Sequence, residues 1–235
     1  MDWQALTLSL KLASITTAIL ICLAIPLAGW LTLGRSGWRV LAEALTGLPL
    51  VLPPTVLGFY LLVLLGPLTG PGRVIAGLLG HPLAFSFTGL VVGSVIYSMP
   101  FAVQPIVAGF AAVDRSVIDA ARLLGAGPIR LIRTILVPLA WRSLMTAAIL
   151  SFLHTMGEFG VVLMLGGDIP GATRTLSIVL FNQVQSFDYR GANYTAGILL
   201  LFCVLALVVV YARPAALLRS STVIRSETPI GGDNG

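Results

Sequence analysis

The segment Asp114-Arg-Ser-Val-Ile-Asp-Ala-Ala-Arg-Leu-Leu-Gly-Ala-Gly-Pro-Ile-Arg-Leu-Ile-Arg-Thr-Ile-Leu-Val-Pro138 lies between two long apolar runs, and its reading decides the fold. Asp114 suits an N-cap, because its side chain can accept from the free amides of a first helical turn. Val117, Ala121 and Leu124 then fall on one helical stripe, and Arg115, Asp119 and Arg122 on another. Arg115 and Asp119 stand at i,i+4 and Asp119 and Arg122 at i,i+3, spacings that let side chains pair. Gly125, Gly127 and Pro128 end this helix. A second helix is expected from near Ile129, with Ile132, Ile135 and Leu136 on one side, Arg130 and Arg133 on the other, and Pro138 at the entry to the next apolar run. The segment therefore reads as a short helical hairpin standing outside the membrane with both ends tied into it. That tethering argues against reading a DNA groove. Two uses stay open on these residues alone: docking into a groove on another protein, or lying on the lipid surface, held by arginines.

Outward from this hairpin the chain is strongly apolar. Hydrophobic residues make up 57% and charged residues 10%, against about 25% charged in soluble domains. So little polar surface cannot cover a water-soluble globule, and lipid is the expected solvent. Five runs approach the ~20 residues that a spanning helix needs: about 6–33, 45–65, 85–107, 139–165 and 193–211. The expected architecture is an all-α polytopic bundle, with a transmembrane domain over 1–213 that contains the 114–138 loop. A Ser-, Gly-, Pro- and Asp-rich tail over 214–235 is expected to be disordered. No basic cluster precedes the first run, so it reads as a retained anchor rather than a cleaved leader.

Basic residues orient the bundle. Ten of the 14 Lys and Arg fall in the first linker, the 114–138 hairpin with Arg142, and the tail; four (Lys11, Arg73, Arg174, Arg190) fall on the other side. The excess marks the cytoplasmic side. This puts the N-terminus outside and the C-terminus in the cytoplasm, as five spans require. The net charge of +5 then needs no nucleic acid as partner. Cys22 and Cys203 lie inside apolar runs and read as small core residues.

Some residues inside the runs carry functional interest. Pro53 and Pro54 interrupt the second run, and Pro100 and Pro105 the third. Prolines in lipid are tolerated where neighbouring helices or a water-filled path take over the lost hydrogen bonds. Gly89 and Gly93 permit close helix approach, most simply within the subunit. Glu158, between Gly157 and Gly160, is a carboxylate within the fourth run; such a group costs about 2.5–3.5 kcal/mol to insert at the bilayer centre and usually faces a cavity or a partner. A negative charge repels an anion, so a structural or gating role through hydrogen bonds is favoured over liganding one. His154, one turn earlier, has no second ligand beside it, and no metal site is read. In the loop before the last run, Thr173, Arg174 and Thr175 suit oxyanion hydrogen bonding, contact with an incoming protein, or simple solvation. A membrane-embedded protease is the rival class, with Gly34-Arg-Ser-Gly37 as nucleophile motif and His154 as base; but Ser36 falls in an Arg-flanked linker rather than in a span.

A resemblance narrows these readings. Asp119-Ala120-Ala121, then Gly125, then Ile135 and Pro138 resembles the signature loop of permease subunits of binding-protein-dependent ABC importers. That pattern is Glu-Ala-Ala, three residues, Gly, nine residues, Ile, any residue, Leu-Pro. Every spacing matches; Asp119 replaces Glu and Val137 replaces Leu. Leu48-Pro-Leu-Val-Leu-Pro-Pro54 is similar to molybdate and sulfate permeases. Gly157-Glu-Phe-Gly160 and Asp168-Ile-Pro-Gly-Ala-Thr-Arg-Thr175 resemble the molybdate branch most. The resemblance implies an importer of molybdate or a related tetrahedral oxyanion (tungstate, sulfate, thiosulfate). It implies a second permease copy, two ATPase subunits docked through Asp119, Ala120, Ala121, Gly125, Arg115, Arg122 and Pro138, and a periplasmic oxyanion-binding protein. The chain's one lysine, Lys11, follows Leu10, so no Gly-Lys-Ser/Thr phosphate loop exists. ATP is expected on the partner subunit, with no cofactor in this chain and lipid around it.

Overall fold

The computed structural model describes residues 2–34 and 37–222, with side chains described up to 208. It is all-helical over these residues: α1 (Trp3–Leu33), α2 (Trp38–Val51), α3 (Pro54–Leu65), α4 (Gly70–Leu79), α5 (Phe87–Ala111), α6 (Arg115–Leu123), α7 (Pro128–Leu131), a π-helical turn (Ile132–Leu136), α8 (Val137–Leu139), α9 (Trp141–Gly157), α10 (Gly160–Gly166), α11 (Leu176–Gln185) and α12 (Tyr189–Thr222). α12 runs into the stretch expected as a tail; 223–235 lie outside the described residues, as do Arg35 and Ser36 of the Gly34–Gly37 motif.

Three helices are long and apolar enough to cross a membrane: Trp3–Leu33, Phe87–Ala111 and Tyr189–Val208. Counting each bent pair as one span gives five. The second and fourth runs are therefore not simple rods. α2 and α3 meet at 112°, because Pro53 and Pro54 supply no amides to continue the helix. The fourth run starts later than expected, after an 81° bend between Pro128–Leu139 and Trp141–Gly157. It breaks again at Glu158 and Phe159, before α10. Just upstream, Pro138 would clash with the carbonyl one turn back in a regular helix. The backbone opens instead into the π turn, where Val137 N–H reaches the Ile132 carbonyl.

The core is α1, α5 and α9, packed against one another. α1 turns a stripe of Ala13, Thr16, Leu20, Ala24 and Ala28 inward, all fully buried. Such small residues let helices approach closely in lipid, where dispersion replaces the hydrophobic drive. Gly93 of α5 serves α10 in the same way: a Cβ there would lie 2.9 Å from Leu165 and 3.1 Å from Val161. The seam is thus internal packing. α3 and α10 lie side by side, and α11 packs on α12 and α9.

At one end of the bundle, α6 and α7 fold onto the core. Ile118, Leu131 and Leu136 are buried in one cluster with Leu31 of α1 and Phe110 of α5. The first linker and the hairpin share this end, as the charge count expects, since Arg39 and Arg115 line one cavity.

Candidate functional site

Two features stand out, one at each level of the bundle. The first is the hairpin. Asp114 caps α6 by accepting from the Ser116 amide at 2.9 Å, and these bonds hold its carboxyl below the usual carboxylate range. α6 ends in a Schellman motif: Ala126 N–H donates to Ala121 O and Gly125 N–H to Arg122 O, each at 2.9 Å. Gly125 takes φ +82°, open to glycine at little cost. The inward stripe is not Val117, Ala121 and Leu124. Ile118 is the buried anchor with Ala121 beside it, while Val117 is exposed and Leu124 is 85% exposed. The reason is the core beneath: Ile118 joins the buried cluster that holds Phe110 and Leu131. Rotating α6 by one residue leaves Leu123 and Leu124 standing outward beside Ala120 and Asp119. Asp119 pairs with Arg122 at 3.5 Å. Arg115, Asp119, Ala120, Arg122 and Gly125 are all exposed, Ala121 is half-buried, and Pro138 is exposed at the base.

The second feature joins the two helix breaks. Gly160 opens α10 directly against Pro54, which opens α3; a Cβ on Gly160 would sit 2.6 Å from Pro54 Cβ and 3.3 Å from Thr55 N. One turn on, a Cβ on Gly58 would lie 2.8 Å from Met164 Cβ. The two half-helices thus run parallel in close contact. Pro54 and Gly160, far apart in sequence, meet here, with Pro53 on one side and Gly157 and Glu158 on the other next to them along the chain. Gly157 has nothing near its missing Cβ.

Glu158 caps α9 with an extended backbone (φ −65°, ψ 130°) and is 4% exposed. Its carbonyl accepts from Ser177 Oγ at 2.6 Å, tying the break to α11. Its carboxyl faces the buried Ser94 hydroxyl of α5, though neither group completes a hydrogen bond of normal geometry. His154 is a packing residue: Nδ1 meets Ser98 Oγ at 2.9 Å, and the ring stacks 3.9 Å from that of Phe101. Ser98 also meets Thr155 Oγ1 at 3.1 Å.

The trio Thr173, Arg174 and Thr175 divides. Thr173 is fully buried, accepting from Ile169 N–H and donating to Gly166 O at 2.7 Å. Thr175 is 2% exposed and shares a hydrogen bond with Ser177. These hydroxyls brace the loop from inside, because each satisfies a buried polar group. Arg174 stays at the surface and binds Asp168, which also accepts from Asn182 Nδ2 at 2.7 Å. Partial burial raises the Asp168 carboxyl; the bonds from Arg174 and Asn182 and the arginine charge outweigh it, and the group rests below its ordinary value. Sequence reasoning missed this clasp, since Asn182 lies in a helix it did not expect.

Known proteins are similar to this chain. The chain is 48% identical over 212 residues to the molybdenum transport system permease protein ModB of Azotobacter vinelandii, covering 90% of this chain and 93% of that one. It is 34% identical over 185 residues to the protein of the same name in Escherichia coli K12, covering 79% and 81%. Its fold matches an inward-facing MetNI methionine ABC transporter chain with TM-score 0.70 at 14% identity, over 92% of this chain and 95% of that one. The family described as the binding-protein-dependent transport system inner membrane component matches residues 21–221, from mid-α1 through the hairpin and both breaks, and the chain belongs to that family.

Proposed function

We propose that this chain is the permease subunit of an ABC importer for molybdate, working with a separate ATPase. The carrying observation is the hairpin: the family's signature loop is folded, anchored by Ile118, and turns Asp119, Ala120, Leu123, Leu124 and Gly125 away from the permease. The identity to molybdenum permeases over nine-tenths of the chain supports the substrate. Belonging to a permease family, the chain is a transport component and not itself an enzyme, which sets the protease reading aside.

In this reading the chain is a multi-pass inner-membrane protein with the hairpin in the cytoplasm, the N-terminus outside and the C-terminus inside. Two copies pair around a central path, since closed two-fold pairing is the simplest symmetric arrangement. Each docks one of two ATPase subunits through Asp119, Ala120, Ala121, Gly125, Arg115 and Arg122. ATP, held by the partner, closes the ATPase pair; the hairpins move together and the permease opens outward to a periplasmic oxyanion-binding protein. Hydrolysis reverses the motion and releases the anion inward. The abutting half-helices α3 and α10 act as the gate, with Glu158 setting the break between α9 and α10. Arg174, the least buried member of its trio, faces the incoming protein or anion.

The test is uptake of labelled molybdate by cells carrying the whole system. Excess tungstate should compete strongly and excess sulfate or thiosulfate weakly. Equal competition by sulfate would move the substrate to the sulfate branch. If no ATPase co-purifies with the permease, the importer reading itself is lost.

A further inference from the structure

Two cavities flank the hairpin and share a wall. One, about 450 Å³, is lined by Arg39 and Glu43 of α2, Arg115, Asp119 and Arg122 of α6, and the end of α1. The other, about 390 Å³, is lined mainly by apolar groups: Pro26, Trp30, Ala126, Ile129 and Ile132. Leu33, Gly34 and Arg122 belong to both. The polar cavity thus opens beside a greasy one at the membrane edge, where Trp30 is 39% exposed and Trp38 is 72% exposed. Exposed tryptophans of this kind mark the headgroup level of a bilayer.

Charge decides what fits. Three guanidinium groups face two carboxylates, and Asp119 is engaged with Arg122 at 3.5 Å. Among the described residues, Arg39 makes one hydrogen bond, from Nη1 to the Gly34 carbonyl at 2.6 Å, and its buried Nε has no acceptor. Arg115 has no ion-pair partner among the described residues. A buried, unanswered guanidinium N–H beside a second free arginine calls for an anionic oxygen ligand. A free anion would use the polar cavity alone and leave the adjoining apolar one unexplained. A molecule with a phosphate at one end and a hydrocarbon chain at the other uses both.

We propose that these joined cavities bind one anionic phospholipid, its phosphate against Arg39 and an acyl chain along Trp30, Ile129 and Ile132. Bound there, the lipid braces α6 and α7 against α1 and α2, and makes the hairpin's placement depend on membrane composition. The inference goes beyond the transport reading and does not require molybdate to be the substrate.

The permease co-purified with its ATPase is placed in nanodiscs of phosphatidylcholine with or without phosphatidylglycerol, and retained lipid is read by native mass spectrometry after detergent transfer. The wild type should keep phosphatidylglycerol in preference to phosphatidylcholine. Arg39→Gln should weaken that retention about fivefold, near the worth of one basic residue at an anionic surface, while Arg39→Lys keeps much of it. Ile129→Asn, which removes only apolar contact, should weaken it too. Inorganic phosphate is the control ligand. If phosphate occupies the site and Ile129→Asn changes nothing, the site is one for a free oxyanion and the lipid proposal fails. Equal lipid retention by Arg39→Gln and wild type, with elution volume unchanged, also overturns it. None of these readouts involves transport, so their failure leaves the permease assignment standing.

Discussion

At the scale of single residues, the two glycines that flank Glu158 make opposite demands. Gly160 has no room for a side chain, because the ring of Pro54 and the α3 backbone fill the space. Gly160→Val should cost about 1–3 kcal/mol by overpacking and largely abolish uptake. Gly157→Ala, with open space around it, should fold with unchanged melting temperature and transport. Thermal unfolding of the two variants side by side checks the contrast, and equal tolerance would show that the half-helices need not touch. Glu158 tests a different idea. Its buried carboxyl has unpartnered oxygens, so its shape and hydrogen-bonding capacity matter more than a charge. Glu158→Gln should assemble normally and retain most uptake; complete loss of transport in a well-assembled complex would require the carboxyl itself. The Asp168 clasp answers to pH. A carboxyl held below its ordinary value contributes stability that is present above its unfolded value and fades as pH falls through the folded one. The effect is small for a pair about 30% exposed, below about 1 kcal/mol. Asp168→Asn should therefore lower the melting temperature slightly at pH 7 and make no difference in strong acid.

At the scale of elements, the hairpin separates what sequence can specify from what packing decides. Its existence, the Asp114 cap, the Gly125 turn and the arginine-bearing outer face were all legible, because each follows from local chemistry. The identity of the anchoring residue was not. Val117 and Ile118 are adjacent apolar residues on a nine-residue helix, and only packing into the cluster of Phe110 and Leu131 selects Ile118. The same limit explains the broken spans. Pro53-Pro54 announces the break behind the 112° bend, but no local pattern reports that Gly160 of α10 packs against Pro54. α4 and α11 escaped notice because ten residues fall short of a spanning window; Thr69, whose hydroxyl caps Gly72 N–H, was the readable signal for α4. The corrected rotation has a consequence. Ile118→Ser should loosen the hairpin from the bundle, losing about 1.5–3 kcal/mol of burial. Leu124→Asp should leave the permease as stable as before and release the ATPase on co-purification. If Leu124→Asp still holds the ATPase in stoichiometric amounts, the docking face lies elsewhere on the hairpin.

At the scale of the whole molecule, coupling to an ATPase requires the hairpin end to be the cytoplasmic end. The bundle brings Arg39 of the first linker and Arg115 and Arg122 of the hairpin to one end, so this part of the basic excess counted along the sequence is a physical patch rather than a sum over scattered loops. Loops so charged are retained in the cytoplasm during insertion. The opposite end carries Lys11, held 4.9 Å over the Phe87 ring, and the Asp168–Arg174 clasp, whose opposite charges cancel. The fold thus has one strongly basic face and one nearly balanced face. Single cysteines settle the matter once native Cys22 and Cys203 are replaced by alanine. A cysteine at Leu123, 89% exposed, should stay unlabelled by an impermeant maleimide in intact cells and react after the membrane is opened. A cysteine at Phe187, 76% exposed before α12, should label in both. The reverse pattern would put the hairpin outside, beyond reach of any ATP-consuming partner, and α6 would then be left with only the lipid surface to bind.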